Sequence, residues 1–142
     1  MRIIFSILIL ISMLIISCGK EESKLQTFNP EAFAYDLGDS WEVNAIVNVK
    51  GFEQRENSDD GNFEASLSYS ADLKSPDGKI TENIYSDKLD LSYKEEILDT
   101  PIEVQLELDS TYREGTYQII FNIEDNFTGS TATSFVDFKL ED

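Results

Sequence analysis

Hydrophobic and polar residues alternate one by one along most of the chain after residue 28. The alternation is clearest in four segments, residues 41–49, 63–73, 102–108 and 117–123. Successive side chains of a β-strand point to opposite faces, so each segment predicts a strand with one buried and one solvated face. Ile46 lies on the polar side of the first segment, and Phe135 breaks the alternation of a last segment, 132–140.

Turn-forming residues separate these segments. Ser75-Pro76-Asp77-Gly78 predicts a turn that joins residues 63–73 to a strand at 80–85, and Asn126-Phe127-Thr128-Gly129 predicts a hairpin between the last two strands. Residues 53–62 are rich in acids and predict a longer polar loop. No segment has the 3.6-residue period of an amphipathic helix, and we expect at most one helical turn, at residues 93–98.

Together these segments predict an all-β domain at residues 29–142. With a less regular strand near residues 33–37, the pattern gives about seven strands with alternating faces, which is typical of two packed antiparallel sheets. A jelly roll is an alternative two-sheet arrangement that the pattern leaves open.

One local motif narrows the fold further. Glu114-Gly115-Thr116-Tyr117 leads into the strand near residues 117–123. This motif resembles the tyrosine corner of bacterial immunoglobulin-like domains, in which the tyrosine hydroxyl binds the backbone a few residues upstream. Arg113 stands where that family commonly has Asp, and a single cysteine forms no internal disulfide. The resemblance therefore implies an immunoglobulin-like sandwich and nothing about activity.

The amino terminus has the pattern of an export signal. A positive start, Met1-Arg2, precedes an apolar run at residues 3–16, and Ser17-Cys18 follows. The run is shorter than the roughly 20 residues that cross a bilayer, and its length and flanks fit the apolar region of a signal peptide.

Ile15-Ile16-Ser17-Cys18 resembles the lipobox of bacterial lipoproteins. The resemblance implies cleavage between Ser17 and Cys18, a diacylglyceryl group on the Cys18 thiol and an acyl chain on its new amine. Two or more such chains anchor a protein stably in a membrane. We therefore expect a cleaved signal peptide at residues 1–17 and a lipidated cysteine with a polar tether at residues 18–28.

The tether carries a second resemblance. Lys20, Glu21 and Glu22 resemble the signal that sends some Gram-negative lipoproteins to the outer face of the outer membrane, although a solvated tether often contains such residues. Gly19 follows Cys18 where an inner-membrane lipoprotein of enteric bacteria would have Asp. The two resemblances imply an exported protein that is lipid-anchored to the outer membrane and exposed at the cell surface.

Charge and composition exclude several functions. Asp and Glu number 28 against 11 Lys and Arg, a formal net charge of −17. Such a surface repels nucleic-acid phosphates and anionic lipid headgroups, so we expect no nucleic-acid partner. The chain has no histidine, which excludes a Ser-His-Asp triad, a Cys-His dyad and a histidine-ligated zinc.

The acidic loop is a candidate Ca²⁺ site. It offers hard oxygen ligands around Gly61, namely Glu56, Asp59, Asp60 and Asn62. The spacing does not fit an EF-hand, because Leu67 occupies the position of the last ligand. The alternative is a solvated loop without metal.

Most aromatic residues fall on the apolar side of an alternating segment and are therefore expected in the core. Phe52 and Phe127 lie beside loops, and we expect these two to be exposed.

Three functions remain. The first is a non-catalytic, lipid-anchored envelope module that binds an envelope protein or a glycan with its inter-strand loops. The second is a structural component of an envelope protein complex. The third, which the sequence favours least, is a hydrolase built on paired carboxylates, since no motif marks a catalytic pair. We expect no enzymatic activity, and no cofactor apart from the lipids on Cys18.

Overall fold

The computed structural model describes residues 24–141 of the chain. Eight β-strands make up its regular secondary structure, and the described residues form no α-helix: β1 Gln26–Asp36, β2 Ser40–Lys50, β3 Arg55–Glu56, β4 Phe63–Lys74, β5 Ile80–Tyr93, β6 Asp99–Asp109, β7 Gly115–Asp125 and β8 Thr131–Leu140. Within this part of the chain, nothing helical is long and apolar enough to span a membrane.

The strands form two antiparallel sheets. Sheet A has the order β1-β2-β6. In sheet B, β4 pairs with β5 along one edge, while its other edge pairs first with β3 and then with β7, and β7 pairs with β8. The predicted all-β, immunoglobulin-like sandwich is confirmed.

The core lies between the two sheets, where the alternating residues meet. β6 shows the pattern without interruption, since every second residue from Thr100 to Leu108 is buried and each residue between is exposed. The largest fully buried side chains come from both sheets: Phe121, Leu67, Leu73, Ile102, Leu108, Ile119, Ile123 and Leu140. Burial of this apolar surface, at roughly 25 cal/mol per Å², is the main stabilising contribution.

Both predicted hairpins are present. Gly78 donates a backbone hydrogen bond of 2.9 Å to Ser75 in the turn between β4 and β5. In the turn between β7 and β8, Gly129 donates one of 2.7 Å to Asp125. Phe135, which breaks the alternation of β8, lies on the outer face and is 65% exposed.

The structure differs from the sequence prediction at sheet edges and chain ends. β3, an eighth strand of two residues within the predicted loop 53–62, is too short for an alternation to be visible. β5 continues to Tyr93, well past residue 85. The sequence did not predict this length, because both faces of an edge strand can be partly solvated and such a strand then has little apolar pattern. The single helical turn expected at residues 93–98 is absent.

The domain also begins before residue 29. β1 begins at Gln26, within the stretch assigned to the tether, and Leu25 before it is buried. A bulge at Asn29-Pro30 interrupts the pairing of β1 with β2, and Asn29 has a φ of +48°. The bulge explains why β1 is hard to identify from its sequence, since it shifts the alternation partway along the strand.

The two sheets differ in width. β1 and β8, the edge strands on one side, contact each other. Sheet B has β5 as a further full-length strand beyond β4, so on the other side β5 extends past β6, the edge strand of sheet A. Tyr69 of β4 and the inward-facing Tyr85 and Leu89 of β5 meet the rim of sheet A there and are only partly buried.

Candidate binding groove

The outward side chains of sheet A form a surface that we call the acidic–aromatic face. The pairing register arranges nine of them in three rows across the sheet: Glu31, Ile46 and Glu103; Phe33, Asn44 and Gln105; Tyr35, Glu42 and Glu107. Each alternates with inward residues of the core, so the rows follow directly from the strand geometry.

Two aromatic rings on this face are open to solvent. Phe33 is 54% and Tyr35 is 56% exposed, and both point outward from β1 while Ala32 and Ala34 point to the core. Ile46 adds aliphatic surface on the adjacent strand. An outer sheet face is normally polar, and exposed apolar surface of this kind is characteristic of interaction sites.

The charges within the three rows are all of one sign, while Lys50 lies further along β2 opposite Asp99. The nine residues include four glutamates and no lysine or arginine. Glu42 lies directly opposite Glu107 in the β2–β6 ladder, an arrangement in which like charges destabilise a sheet. Asn44 donates a 2.8 Å hydrogen bond to the Glu42 carboxylate. The face therefore carries a negative potential.

A groove of about 570 Å³ crosses the acidic–aromatic face through its middle row. Residues from both sheets line it: Phe33, Asn44, Ala45, Ile46, Tyr69, Tyr85, Glu103, Val104 and Gln105. Tyr69 on β4 and Tyr85 on β5 enter beside β6, where sheet B extends past sheet A. The groove exists because the two sheets differ in width.

Tyr69 and Tyr85 form one wall of the groove as a pair. Their rings stack with centroids 6.1 Å apart and an interplanar angle of 25°. The Tyr85 hydroxyl lies 3.5 Å from a carboxylate oxygen of Asp87. Burial, followed by the proximity of Tyr85 and Asp87, raises the pKa of Tyr69 to about 12. Tyr69 therefore keeps its hydroxyl proton throughout the physiological range.

The groove offers aromatic rings together with neutral hydrogen-bonding groups. Phe33 stands at one end of the middle row, and the two tyrosines lie beyond its other end. Between them, Asn44 and Gln105 supply carboxamides, each with an acceptor oxygen and two donor hydrogens. The Gln105 side chain makes no hydrogen bond to another described residue. These groups suit recognition of a ligand more than acid–base chemistry.

A larger hollow, of about 700 Å³, lies on the outer face of sheet B. Small hydroxyl side chains dominate its lining, and much of its hydrogen-bonding capacity is used internally. Asn122 donates to Asp72 at 2.9 Å, and Ser68 donates to Asn126 at 2.9 Å. Because these polar groups already bond to one another, whereas the groove on sheet A has the exposed ring of Phe33 and the unbonded carboxamide of Gln105, the smaller groove is the better candidate.

The predicted Ca²⁺ ligands form a turn held by its own hydrogen bonds. The Asp60 carboxylate accepts from the backbone and the side chain of Asn62, at 2.9 and 3.2 Å, and the Asn57 side chain accepts from the backbone of Asp59. Glu56 lies in β3. Among residues 24–141, no three acidic or cysteine side chains are grouped to hold a metal. The structure does not bring Glu56, Asp59, Asp60 and Asn62 together as a ligand set.

Phe52 and Phe127, the two aromatic residues beside loops, are covered by other parts of the domain. Phe52 is 4% exposed and belongs to the core, so its predicted exposure is wrong. Phe127 is half-buried beneath Arg55, whose guanidinium lies 4.6 Å from the ring centroid and donates a 3.0 Å bond to the Phe127 carbonyl. Their chain positions beside loops did not reveal that other elements cover them.

The remaining predicted site residues lie outside the described part of the chain. They are Ser17 and Cys18 at the lipobox and Lys20, Glu21 and Glu22 in the tether.

Sequence reasoning missed the groove, although two signals were available. In Ala32-Phe33-Ala34-Tyr35 the small residues and the aromatic residues alternate. An alanine on the inner face leaves room for the opposite sheet, and the aromatic rings then face solvent. Ile46, noted on the polar side of β2, is the second signal and lies in the next row.

Comparisons with known proteins add little to this picture. No family model matches the chain, and no curated protein does. Solved structures with similarity include a Northeast Structural Genomics Consortium target, with a TM-score of 0.45, 10% identity, and coverage of 84% of this chain and 87% of that one. Another is β-glucosidase 3B from Thermotoga neapolitana in complex with α-D-glucose, with a TM-score of 0.38 and 15% identity. The match covers 82% of this chain but 17% of the glucosidase. Both similarities are too distant to carry an argument about function.

Proposed function

We propose that this protein is a non-catalytic binding module of the bacterial envelope, anchored to the outer membrane through lipids on Cys18. The observation that carries the binding role is the groove on the acidic–aromatic face, where Phe33 is 54% exposed beside the carboxamides of Asn44 and Gln105. The anchoring part rests on the resemblance of Ile15-Ile16-Ser17-Cys18 to a lipobox.

The binding surface in this proposal is a sheet face, whereas the sequence favoured inter-strand loops. The turns use their polar side chains to cap their own backbone. Asp36, Asp77 and Asp109 each accept a backbone N–H two residues further along, at 2.6, 3.1 and 2.9 Å. Such Asx turns stabilise the loops and occupy groups that would otherwise face a ligand. On the outer face of sheet A, the rings of Phe33 and Tyr35 are exposed, and the Gln105 side chain makes no hydrogen bond to another described residue.

The proposal assigns no catalytic residue. The chain has no histidine, and its single cysteine is Cys18, the lipid acceptor. The carboxylates near the groove contribute negative potential that selects among ligands.

Replacement of the lipid acceptor tests the anchoring. Cys18→Ala should leave an unlipidated precursor or release the protein from membranes, measured by metabolic labelling with a fatty acid and by membrane fractionation. Ser23→Ala, a small change in the same segment, serves as the control and should keep the label. Unaltered lipid labelling of the Cys18→Ala protein would sink the lipoprotein proposal.

Protease treatment of intact cells tests the surface location. If Lys20-Glu21-Glu22 directs surface export, then Glu21→Ala with Glu22→Ala should protect the protein from an added protease. Glu95→Ala with Glu96→Ala removes the same charge from the loop before β6 and should leave cleavage unchanged. Equal cleavage of both double variants would show that Glu21 and Glu22 do not direct export to the cell surface.

Crosslinking in intact cells tests the binding surface. Phe33→Ala with Tyr35→Ala should reduce the material crosslinked to the protein, because the two rings supply most of the exposed aromatic surface of this face. Phe135→Ala removes an exposed ring from the opposite sheet and serves as the control. Crosslinks that persist in the double variant would place the binding surface elsewhere, and a stoichiometric protein partner would favour the role of a structural component.

A further inference from the structure

The ligand class of the groove follows from the chemistry of its lining, and this inference rests on the proposed function. Phe33 and the Tyr69–Tyr85 pair stand on opposite sides of the groove. Exposed aromatic rings with a flat apolar surface pack against ligands that are themselves flat and partly apolar. The C–H faces of sugar rings meet this requirement, while their edges remain polar.

Two carboxamide side chains lie between the rings of the groove. Asn44 and Gln105 lie next to each other in the middle row, on β2 and β6. A carboxamide both donates and accepts hydrogen bonds, and so does each hydroxyl group of a sugar. Neighbouring carboxamides can therefore satisfy adjacent hydroxyls on the edge of a ring whose face packs on an aromatic side chain.

The charged residues in and beside the groove are acidic. The lining includes Glu103 and no basic residue, and Glu31 and Glu42 lie in the adjoining rows. This negative potential repels uronic acids, sialic acids and phosphorylated sugars. Among carbohydrates, the groove favours chains without acidic groups.

The groove reaches from Phe33 on β1 to the tyrosines beyond β6, which is at least two strand spacings of about 4.8 Å each. That distance is longer than one sugar ring. We propose that the groove binds a neutral oligosaccharide segment, with Phe33 and Tyr85 packing on sugar rings and with Asn44 and Gln105 binding hydroxyl groups between them.

A glycan array tests the proposal. The full-length protein, held in micelles of a detergent without a sugar headgroup, is applied to an array of neutral and anionic oligosaccharides and, in parallel, to immobilised hexalysine peptide. Binding to neutral oligosaccharides and not to anionic ones is expected, with little dependence on salt. The affinity for the best neutral glycan is then measured by calorimetry for wild type and variants.

Three variants identify the surface. Phe33→Ala should weaken the neutral glycan by about tenfold or more, because a few aromatic contacts usually dominate such sites. Gln105→Ala should weaken it by about fivefold through lost hydrogen bonds. Phe135→Ala, which removes a ring that is 65% exposed on the other sheet, should leave the affinity unchanged. Since Phe33 and Gln105 are exposed, all three variants should keep the wild-type melting temperature.

The outcomes separate this inference from the proposed function. Failure to bind any neutral glycan, or equal binding of anionic ones, overturns the glycan inference. Salt-sensitive binding of hexalysine that is lost in the Phe33→Ala protein would also overturn the glycan inference. That result would still support the acidic–aromatic face as a binding surface. Glycan binding that Phe33→Ala and Gln105→Ala leave intact overturns the assignment to this groove.

Discussion

The Tyr117 hydroxyl donates a 2.9 Å hydrogen bond to the backbone carbonyl oxygen of Arg113. Tyr117 is the inward residue near the start of β7, it is 4% exposed, and its ring stacks on Phe138 with centroids 5.8 Å apart. The bond therefore ties the loop that leaves β6 to the core of the sandwich. This geometry is the tyrosine corner predicted from Glu114-Gly115-Thr116-Tyr117.

Removal of the Tyr117 hydroxyl should destabilise the domain without changing its fold. Tyr117→Phe keeps the ring and leaves the Arg113 carbonyl without its partner, which should lower the free energy of unfolding by about 1–2 kcal/mol. Urea denaturation measures this change. Tyr93→Phe, at a position that is 44% exposed, is the control and should have little effect. Equal stability of the Tyr117→Phe protein would mean that the corner bond makes no net contribution.

The corner shows what the sequence alone can predict. A tyrosine bond to a carbonyl four residues upstream depends on a local motif, and strand alternation within β2, β4, β6 and β7 is likewise local. Both were predictable for that reason. The same holds for the turns at Pro76-Asp77-Gly78 and Phe127-Thr128-Gly129, whose residues favour turn geometry wherever they occur.

The groove depends on relationships that are not local. Phe33, Asn44 and Gln105 form a row only when β1 pairs with β2 and β2 with β6 in one register. The position of Tyr69 and Tyr85 depends further on sheet B being wider than sheet A. Alternation within a strand gives the face of a residue but neither its partner strand nor the extent of the opposite sheet. The rows and the groove therefore could not be predicted from the sequence. The exposure of the aromatic rings on β1 could have been predicted.

Asp125 should be the most sensitive acidic residue of the described domain. It is 1% exposed, and its two carboxylate oxygens accept backbone N–H groups from Glu53 at 2.7 Å and from Phe127 at 2.8 Å. Asp125→Ala leaves two partly buried N–H donors without partners and should cost about 3 kcal/mol of unfolding free energy.

Two further variants make the Asp125 prediction specific. Asp125→Asn keeps the shape but replaces one acceptor oxygen with a donor, so its stability should fall between wild type and Asp125→Ala. Asp39→Ala removes an exposed carboxylate and should change the free energy of unfolding by no more than about 0.5 kcal/mol. Urea denaturation of the three proteins gives the order. Similar stability of Asp125→Ala and Asp39→Ala would contradict the role assigned to the buried carboxylate.

Deprotonation of the Tyr69 hydroxyl should lower the free energy of unfolding at alkaline pH. Burial, with Tyr85 and Asp87 nearby, raises the pKa of Tyr69 from 10.0 to about 12. Because the raised pKa belongs to the folded state, the unfolded chain loses this proton first. The stabilisation is complete below pH 10 and is lost as the pH rises from 10 towards 12.

Tyr69→Phe should remove this part of the pH dependence. Unfolding free energies at about pH 9 and about pH 11 should therefore fall less steeply for Tyr69→Phe than for wild type, since phenylalanine has no proton to lose. The tyrosinate absorbance of the folded protein, compared between the two proteins, reports the same titration directly. Parallel decreases in stability for both proteins would show that the Tyr69 hydroxyl titrates as an exposed tyrosine does.

Gly51 and Gly61 allow a test of how the first described residues pack. Both have left-handed backbone conformations, with φ of +76° and +71°. A Cβ atom on Gly51 would overlap the backbone carbonyl oxygen of Lys24, whereas a Cβ atom on Gly61 meets nothing within 4 Å. Lys24 precedes Leu25, which is 3% exposed and belongs to the core.

Gly61→Ala should therefore cost about 1–2 kcal/mol of unfolding free energy, from the strained backbone conformation alone. Gly51→Ala carries the same strain and also displaces the backbone at Lys24, so we expect a loss of about 3 kcal/mol or more. Urea denaturation gives the difference between the two variants, which measures how firmly the segment before β1 is packed. Equal losses would mean that the Lys24 backbone moves away from Gly51 without an energetic cost. The segment at Lys24 would then belong to the polar tether and not to the packed domain.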